Sequence, residues 1–119
     1  MSVKTINAML DWVEDHLESE PILPQMALFV GYSECYCSAK FHEYVGISLK
    51  EYVFKRKLSC AAAELVHTNR QIIEIALRFG FSSHEAFTRA FKKAYGYSPY
   101  QYRKRAAHLS AFERISLDE

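Results

Sequence analysis

Nowhere in the 119-residue chain do apolar residues run for the roughly 20 positions that a membrane-spanning helix needs. The opening Met1-Ser2-Val3-Lys4-Thr5 also lacks the apolar stretch that directs secretion. These absences predict a soluble, cytoplasmic protein. Cysteine is sparse and odd in number. Cys35, Cys37 and Cys60 have no framework spacing, which suits a reducing compartment and argues against a fold built on disulfides. Nor do Cys35, Cys37 and His42 predict a metal site, since helix positions two apart point in different directions and no fourth ligand is near. Glycine occurs four times and never in a cluster, so there is no Gly-rich loop to cradle a phosphate and no hydrolase elbow. Cys35 stands beside Glu34, a poor setting for a reactive thiolate, and Cys37 reads as core. No enzyme, cofactor or metal is expected. Strict alternation of apolar and polar residues, the mark of a half-buried strand, is missing as well, which leaves the all-α class.

What the chain does have is charge that is unevenly placed. The formal net charge is only +1, but residues 1–49 carry two basic groups (Lys4, Lys40) against seven acidic ones, a balance of −5. Residues 50–105 carry twelve basic against four acidic groups (Glu51, Glu64, Glu74, Glu85), a balance of +8, and residues 106–119 return −2. A concentrated positive segment is what contact with a phosphate backbone requires, because each neutralised phosphate releases counterions.

Apolar residues recur at helical spacing throughout. Ile6, Met9, Leu10, Val13 and Leu17 define a first helix, with Trp12 at the border of its buried face. Pro24 suits the first turn of a second, short helix that buries Leu23, Met26, Ala27 and Val30 and stops at Gly31. A third helix follows Ser33, burying Cys37, Phe41 and Tyr44 before Gly46. Ser48 and Glu51 have capping-box spacing and open a long fourth helix reaching about His67, with Asn69 as its stop. A fifth buries Ile72, Ile75, Ala76 and Phe79. A sixth begins at Ser82 and buries Ala86, Phe87, Ala90, Phe91 and Ala94, and Ser98-Pro99 opens a seventh.

The sequence repeats itself. Gly31-Tyr32-Ser33 returns as Gly80-Phe81-Ser82, Phe41 as Phe91, Gly46 as Gly96, Ser48 as Ser98 and Tyr52 as Tyr102, so the offset changes from 49 to 50 through one extra residue in the second copy. Each copy is a short helix, a Gly-containing turn and a second helix, the helix-turn-helix pattern. The expected architecture is seven helices in two helix-turn-helix subdomains, residues 1–47 and 68–106. A connecting helix over 48–67 joins them, and 107–119 forms a tail.

A helix-turn-helix places its second helix in the major groove of double-stranded DNA. For the second unit (residues 83–95) the outward face offers Ser83, His84, Glu85, Thr88, Arg89 and Lys92 to base edges. Arg89 can make a bidentate contact to guanine, and Glu85 can accept from cytosine or hold Arg89 across one turn. The corresponding face of the first unit (residues 34–45) is Glu34, Cys35, Ser38, Ala39 and His42, with Ala39 where Arg89 stands. This unit lacks the large cationic reader, and it reads either little or thymine methyls through Ala39 and Cys35. Ser82, Lys40, Lys55, Arg56, Lys57, Lys93, Arg103 and Lys104 are candidate phosphate contacts, which position a protein without specifying sequence. A 19-residue connecting helix is about 28 Å long, comparable with the roughly 34 Å between successive major-groove faces, so a monomer can span two turns.

The run Gly80-Phe81-Ser82-Ser83-His84-Glu85-Ala86-Phe87-Thr88-Arg89-Ala90-Phe91-Lys92-Lys93, followed by Gly96-Tyr97-Ser98-Pro99 and Tyr102-Arg103, closely resembles the AraC/XylS family of transcription regulators. The first unit agrees more loosely, through Gly31-Tyr32-Ser33, Phe41, Gly46 and Ser48-Leu49. The resemblance covers about residues 5–105, and the short chain looks like the stand-alone subgroup similar to the multiple-antibiotic-resistance and superoxide-response activators. It implies two recognition helices in adjacent major-groove segments of promoter DNA, activation through contact with RNA polymerase, and control by abundance instead of a small ligand. The family commonly carries arginine at the position of Ala39 and a bulky aliphatic residue at that of Cys37, so the third helix departs from it. A competing reading is a protein-interaction module with a degenerate first unit. It draws on Leu28 and Phe29, an apolar pair off the buried stripe that marks a partner surface unless Leu109, Phe112 and Ile115 of the tail fold over it.

Overall fold

Helix formation follows the apolar spacing from the first turn onward. The computed structural model describes residues 2–105, and among these it contains seven helices and no strand. None of the helices is long and apolar enough to cross a membrane. The tail residues Leu109, Phe112 and Ile115 lie outside the described residues.

The described residues form two compact units that meet within one helix, between Arg56 and Lys57. In the first, α1 (Val3–Asp15) is capped by Ser2, whose hydroxyl accepts from the Thr5 N–H at 3.2 Å. It buries Ile6, Met9, Leu10 and Val13 against α2 (Ile22–Val30) and α3 (Glu34–Val45). Trp12, expected at the border, is only 8% exposed, because the His16 ring stacks on it at 3.9 Å and covers its outer face. In α2 the buried stripe is Ile22, Met26 and Ala27, with Leu23 and Val30 half-buried. The helix starts at Ile22, two residues before Pro24, whose missing N–H costs nothing within a first turn. Cys37 and Phe41 are buried in α3, and Tyr44 is half-buried. Burial pushes the Cys37 thiol above its ordinary pKa, so it packs as a neutral side chain. The first half of α4 (Leu49–His67) closes this unit with Leu49, Tyr52 and Val53, the Tyr52 ring meeting Phe41 edge-on at 5.6 Å. The expected separate connecting helix is therefore divided between the two cores.

The second half of α4 supplies Leu58, Ala61, Ala62 and Leu65 to the other core, which they share with Ile75 and Ala76 of α5 (Ile72–Arg78), Phe79, and Phe87 and Phe91 of α6 (His84–Tyr95). Tyr102 of α7 (Pro99–Arg105) completes it. Burial raises the Tyr102 phenol above its ordinary pKa. Phe91 lies at the centre of the rings, with centroids 5.6 Å from Phe87, 4.7 Å from Tyr95 and 5.1 Å from Tyr102. Ala86 and Ala90 are half-buried and Ala94 is exposed, so the buried row is narrower than the apolar pattern predicts. It is set by the two phenylalanines.

Candidate nucleic-acid interface

The two units build the same device twice. In each, the short helix ends with a backbone bond that reaches five residues back. The Tyr32 N–H donates to the Ala27 carbonyl at 3.2 Å, and the Phe81 N–H to the Ala76 carbonyl at 3.0 Å. The intervening Gly31 and Gly80 have φ of 82° and 84°, the left-handed region that a side chain disfavours. The following helix is capped by serine. Ser33 Oγ accepts from the Tyr36 N–H and Ser83 Oγ from the Ala86 N–H, both at 3.1 Å. The cap of α6 is thus Ser83, one residue later than the expected Ser82. The extra residue of the second copy lies in its turn, and α3 and α6 correspond at a constant offset of 50.

Ser83, expected to touch bases, is occupied by this capping bond, while Ser82 is exposed beside it. Along α6 the side chains of His84, Glu85, Arg89, Lys92 and Lys93 are exposed. The Thr88 hydroxyl points the other way, buried and without a hydrogen-bond partner among the described residues. Arg89, Lys92 and Lys93 make no side-chain ion pair or hydrogen bond with any described residue. Most other cations among the described residues are engaged. Arg56 makes a two-pronged contact to Glu14, at 2.6 Å and 3.1 Å. Arg70 and Arg78 converge on Glu64. Arg103 donates to the backbone carbonyls of Leu65 at 2.9 Å and Thr68 at 3.3 Å, tying α7 to the end of α4. Lys55 pairs with Glu51 at 3.5 Å, and Lys104 lies over the Tyr100 ring. Lys57 is only 9% exposed and packs toward the α5–α6 turn, where a Cβ on Gly80 would stand 3.6 Å from its Nζ.

Of the expected phosphate contacts, Lys93 and Ser82 therefore stand open. Arg56 and Arg103 are bonded to groups far away in the chain and Lys57 is largely buried, none of which charge counting along the chain could foresee. Sequence reasoning passed over Lys50, an exposed cation in the first turn of α4 with no side-chain partner among the described residues. Its signal was available in the charge partition, since Lys50 is the first of the twelve basic residues of the positive segment.

The outward face of α3 is of opposite character. Glu34, Cys35, Ala39 and His42 are exposed and Ser38 is half-buried. All five line an open depression of about 950 Å³, together with Leu23, Glu43, Gly46 and Ser48. Lys40, a candidate phosphate contact, donates to Glu43 at 3.0 Å. The carboxylate holds the ammonium above its ordinary pKa. No group of three or more His, Cys, Asp or Glu side chains is placed to hold a metal ion among the described residues.

Two serine-capped helices, each presented by a short helix and a glycine turn, one of them with uncommitted cations along its outer face, define a tandem helix-turn-helix protein. Residues 26–105 match the family model described as a helix-turn-helix domain. Over 99 residues the chain is 37% identical to the multiple antibiotic resistance protein MarA of Escherichia coli (strain K12), covering 83% of this chain and 78% of MarA. It is 41% identical over 100 residues to the F1 operon positive regulatory protein of Yersinia pestis, covering 83% of this chain but only 33% of that longer protein. The C-terminal domain of AraT, a response regulator from Geobacillus stearothermophilus, superposes with a TM-score of 0.76 at 33% identity, covering 92% of this chain and 90% of that one. The chain belongs to the AraC-type family of helix-turn-helix transcription regulators.

Proposed function

We propose that the chain binds promoter DNA as a monomer, in the cytoplasm, with α6 and α3 in adjacent major-groove segments, and activates transcription through contact with RNA polymerase. The observation that carries the DNA-binding part is the uncommitted charge on α6. Arg89, Lys92 and Lys93 are exposed without side-chain partners among the described residues, whose other arginines are mostly engaged. A cation paired within the protein would have to break that pair before meeting a phosphate, and these three do not. Arg89 can reach guanine O6 and N7, with Glu85 and His84 at the neighbouring base edge, while Lys93 meets the backbone. So does Lys92, expected at a base edge but standing in the last turn of α6, beyond the N-terminal part of a recognition helix that reads bases. The length of α4 supports simultaneous engagement of both units. Activation is supported by the relatives, one of which is named a positive regulatory protein.

Titration of binding against salt tests this reading. In Lys92→Ala/Lys93→Ala, affinity falls for every duplex alike, and the slope of log K against log salt loses about 0.9 per abolished phosphate contact, roughly two units in all. An unchanged slope would remove these lysines from the interface.

The exposure of Leu28 (84%) and Phe29 (63%) supports a second surface. Two large apolar side chains turned to water at the end of α2 suit a protein partner, with RNA polymerase the occupant this reading assigns.

A further inference from the structure

Resting on the reading of α3 and α6 as DNA-facing helices, we propose that the two units read chemically different bases, α3 recognising thymine through its methyl group. The argument begins with the constant offset of 50 between the helices, fixed by the caps Ser33 and Ser83. At that offset Arg89 becomes Ala39, Lys92 becomes His42 and Lys93 becomes Glu43. Every long cation on the α6 face has been shortened or reversed in sign on α3. Lys40, the remaining cation of α3, is held by Glu43. A face so equipped gains little from phosphate and has no fork to grip guanine.

What α3 offers instead is a shallow, largely apolar depression at its outer face. Cys35 and Ala39 stand one helical turn apart on that face, both exposed, with Leu23 of α2 lining the same depression. In the major groove the one apolar group that a base pair displays is the C5-methyl of thymine. Short side chains also let the helix backbone approach the base edges, so that the methyl enters the depression. The operator then has two unlike halves. The block facing α6 contains guanine, and the block facing α3 contains thymine at the positions next to Cys35 and Ala39.

Replacing single thymines of a selected operator by deoxyuridine removes that methyl and leaves the pairing edge unchanged. With the full chain, affinity is expected to fall about fourfold for each methyl buried against α3, the worth of one buried carbon. The same exchange in the α6 block has a smaller effect. In Cys35→Ser/Ala39→Ser, whose positions are exposed and whose folding is checked by circular dichroism, thymine and uracil bind alike at the sensitive positions. Equal binding of thymine and uracil by the unaltered protein throughout the α3 block overturns the inference, while binding through the α6 block stays intact. Selection of no α3 block overturns it too and leaves the carboxylate-rimmed face to a basic protein partner. Selection of neither block removes the DNA-binding reading beneath it.

Discussion

Phe91→Ala lowers the stability of the second unit by about 3–5 kcal/mol, the range for removing a buried phenylalanine. Phe91 is fully buried and touches three other rings, Phe87, Tyr95 and Tyr102, so the lost volume lies where α6 and α7 meet. The surrounding rings come from different positions of the chain and can only partly collapse into the space. For a unit of this size such a loss takes the thermal midpoint down by about 12 °C or more. Thermal unfolding followed by far-ultraviolet circular dichroism measures it. Trp12, the single tryptophan, reports separately on the first unit through its fluorescence. A midpoint within about 3 °C of the unaltered protein would show that this ring cluster is not the core of the unit.

Arg89→Ala leaves the fold intact, because the side chain is exposed and makes no side-chain hydrogen bond or ion pair with a described residue. Its specific affinity nevertheless falls about 10- to 100-fold, the worth of a bidentate contact to one base. The loss is selective. Preference relaxes at one or two base pairs, while non-specific affinity at low salt changes little, since Lys92 and Lys93 still meet the backbone. Competition of the selected operator against its single-base variants separates the two terms. The same base preference in wild type and variant would exclude Arg89 as a reader.

How much of this was readable in the residues depends on the range of the interaction. Stops and caps are local, so Gly31, Gly46, Gly96, Ser33 and Ser48 marked helix ends that the structure reproduces. Even there one residue was misplaced. Ser82-Ser83 offers two adjacent caps, Glu85 has capping-box spacing from the first, and only the turn geometry selects the second. The apolar rows of α1, α5 and α6 were legible for the same reason, apart from Ala94, whose small side chain carries almost no preference for burial. Leu28 and Phe29 were expected to face outward from their place on the α2 wheel, and they do.

Partners distant in the chain were not legible. Arg56 looked like a phosphate anchor because it stands in the run Lys55-Arg56-Lys57, but Glu14 is 42 residues away. Arg103, likewise a candidate phosphate contact, closes the carbonyl end of α4 with its guanidinium, 35 and 38 residues back. A charge run records how many cations a segment has and nothing about which are already engaged. The distinction between Arg89 and Arg56, which matters most for function, therefore belongs to the fold. The face of α3 shows the converse case. Its loss of cations was visible by aligning the two copies, but the depression into which Cys35 and Ala39 open needed the packing of α2 against α3.

Selection of bound duplexes from a random DNA library, with the purified protein at a stated near-physiological salt concentration, tests the two-unit account most directly. The account predicts two enriched blocks about one helical turn apart, one containing guanine and relaxed at one or two of its positions by Arg89→Ala, the other unchanged in that variant. A library that returns no enriched block, or one block alone, would contradict it.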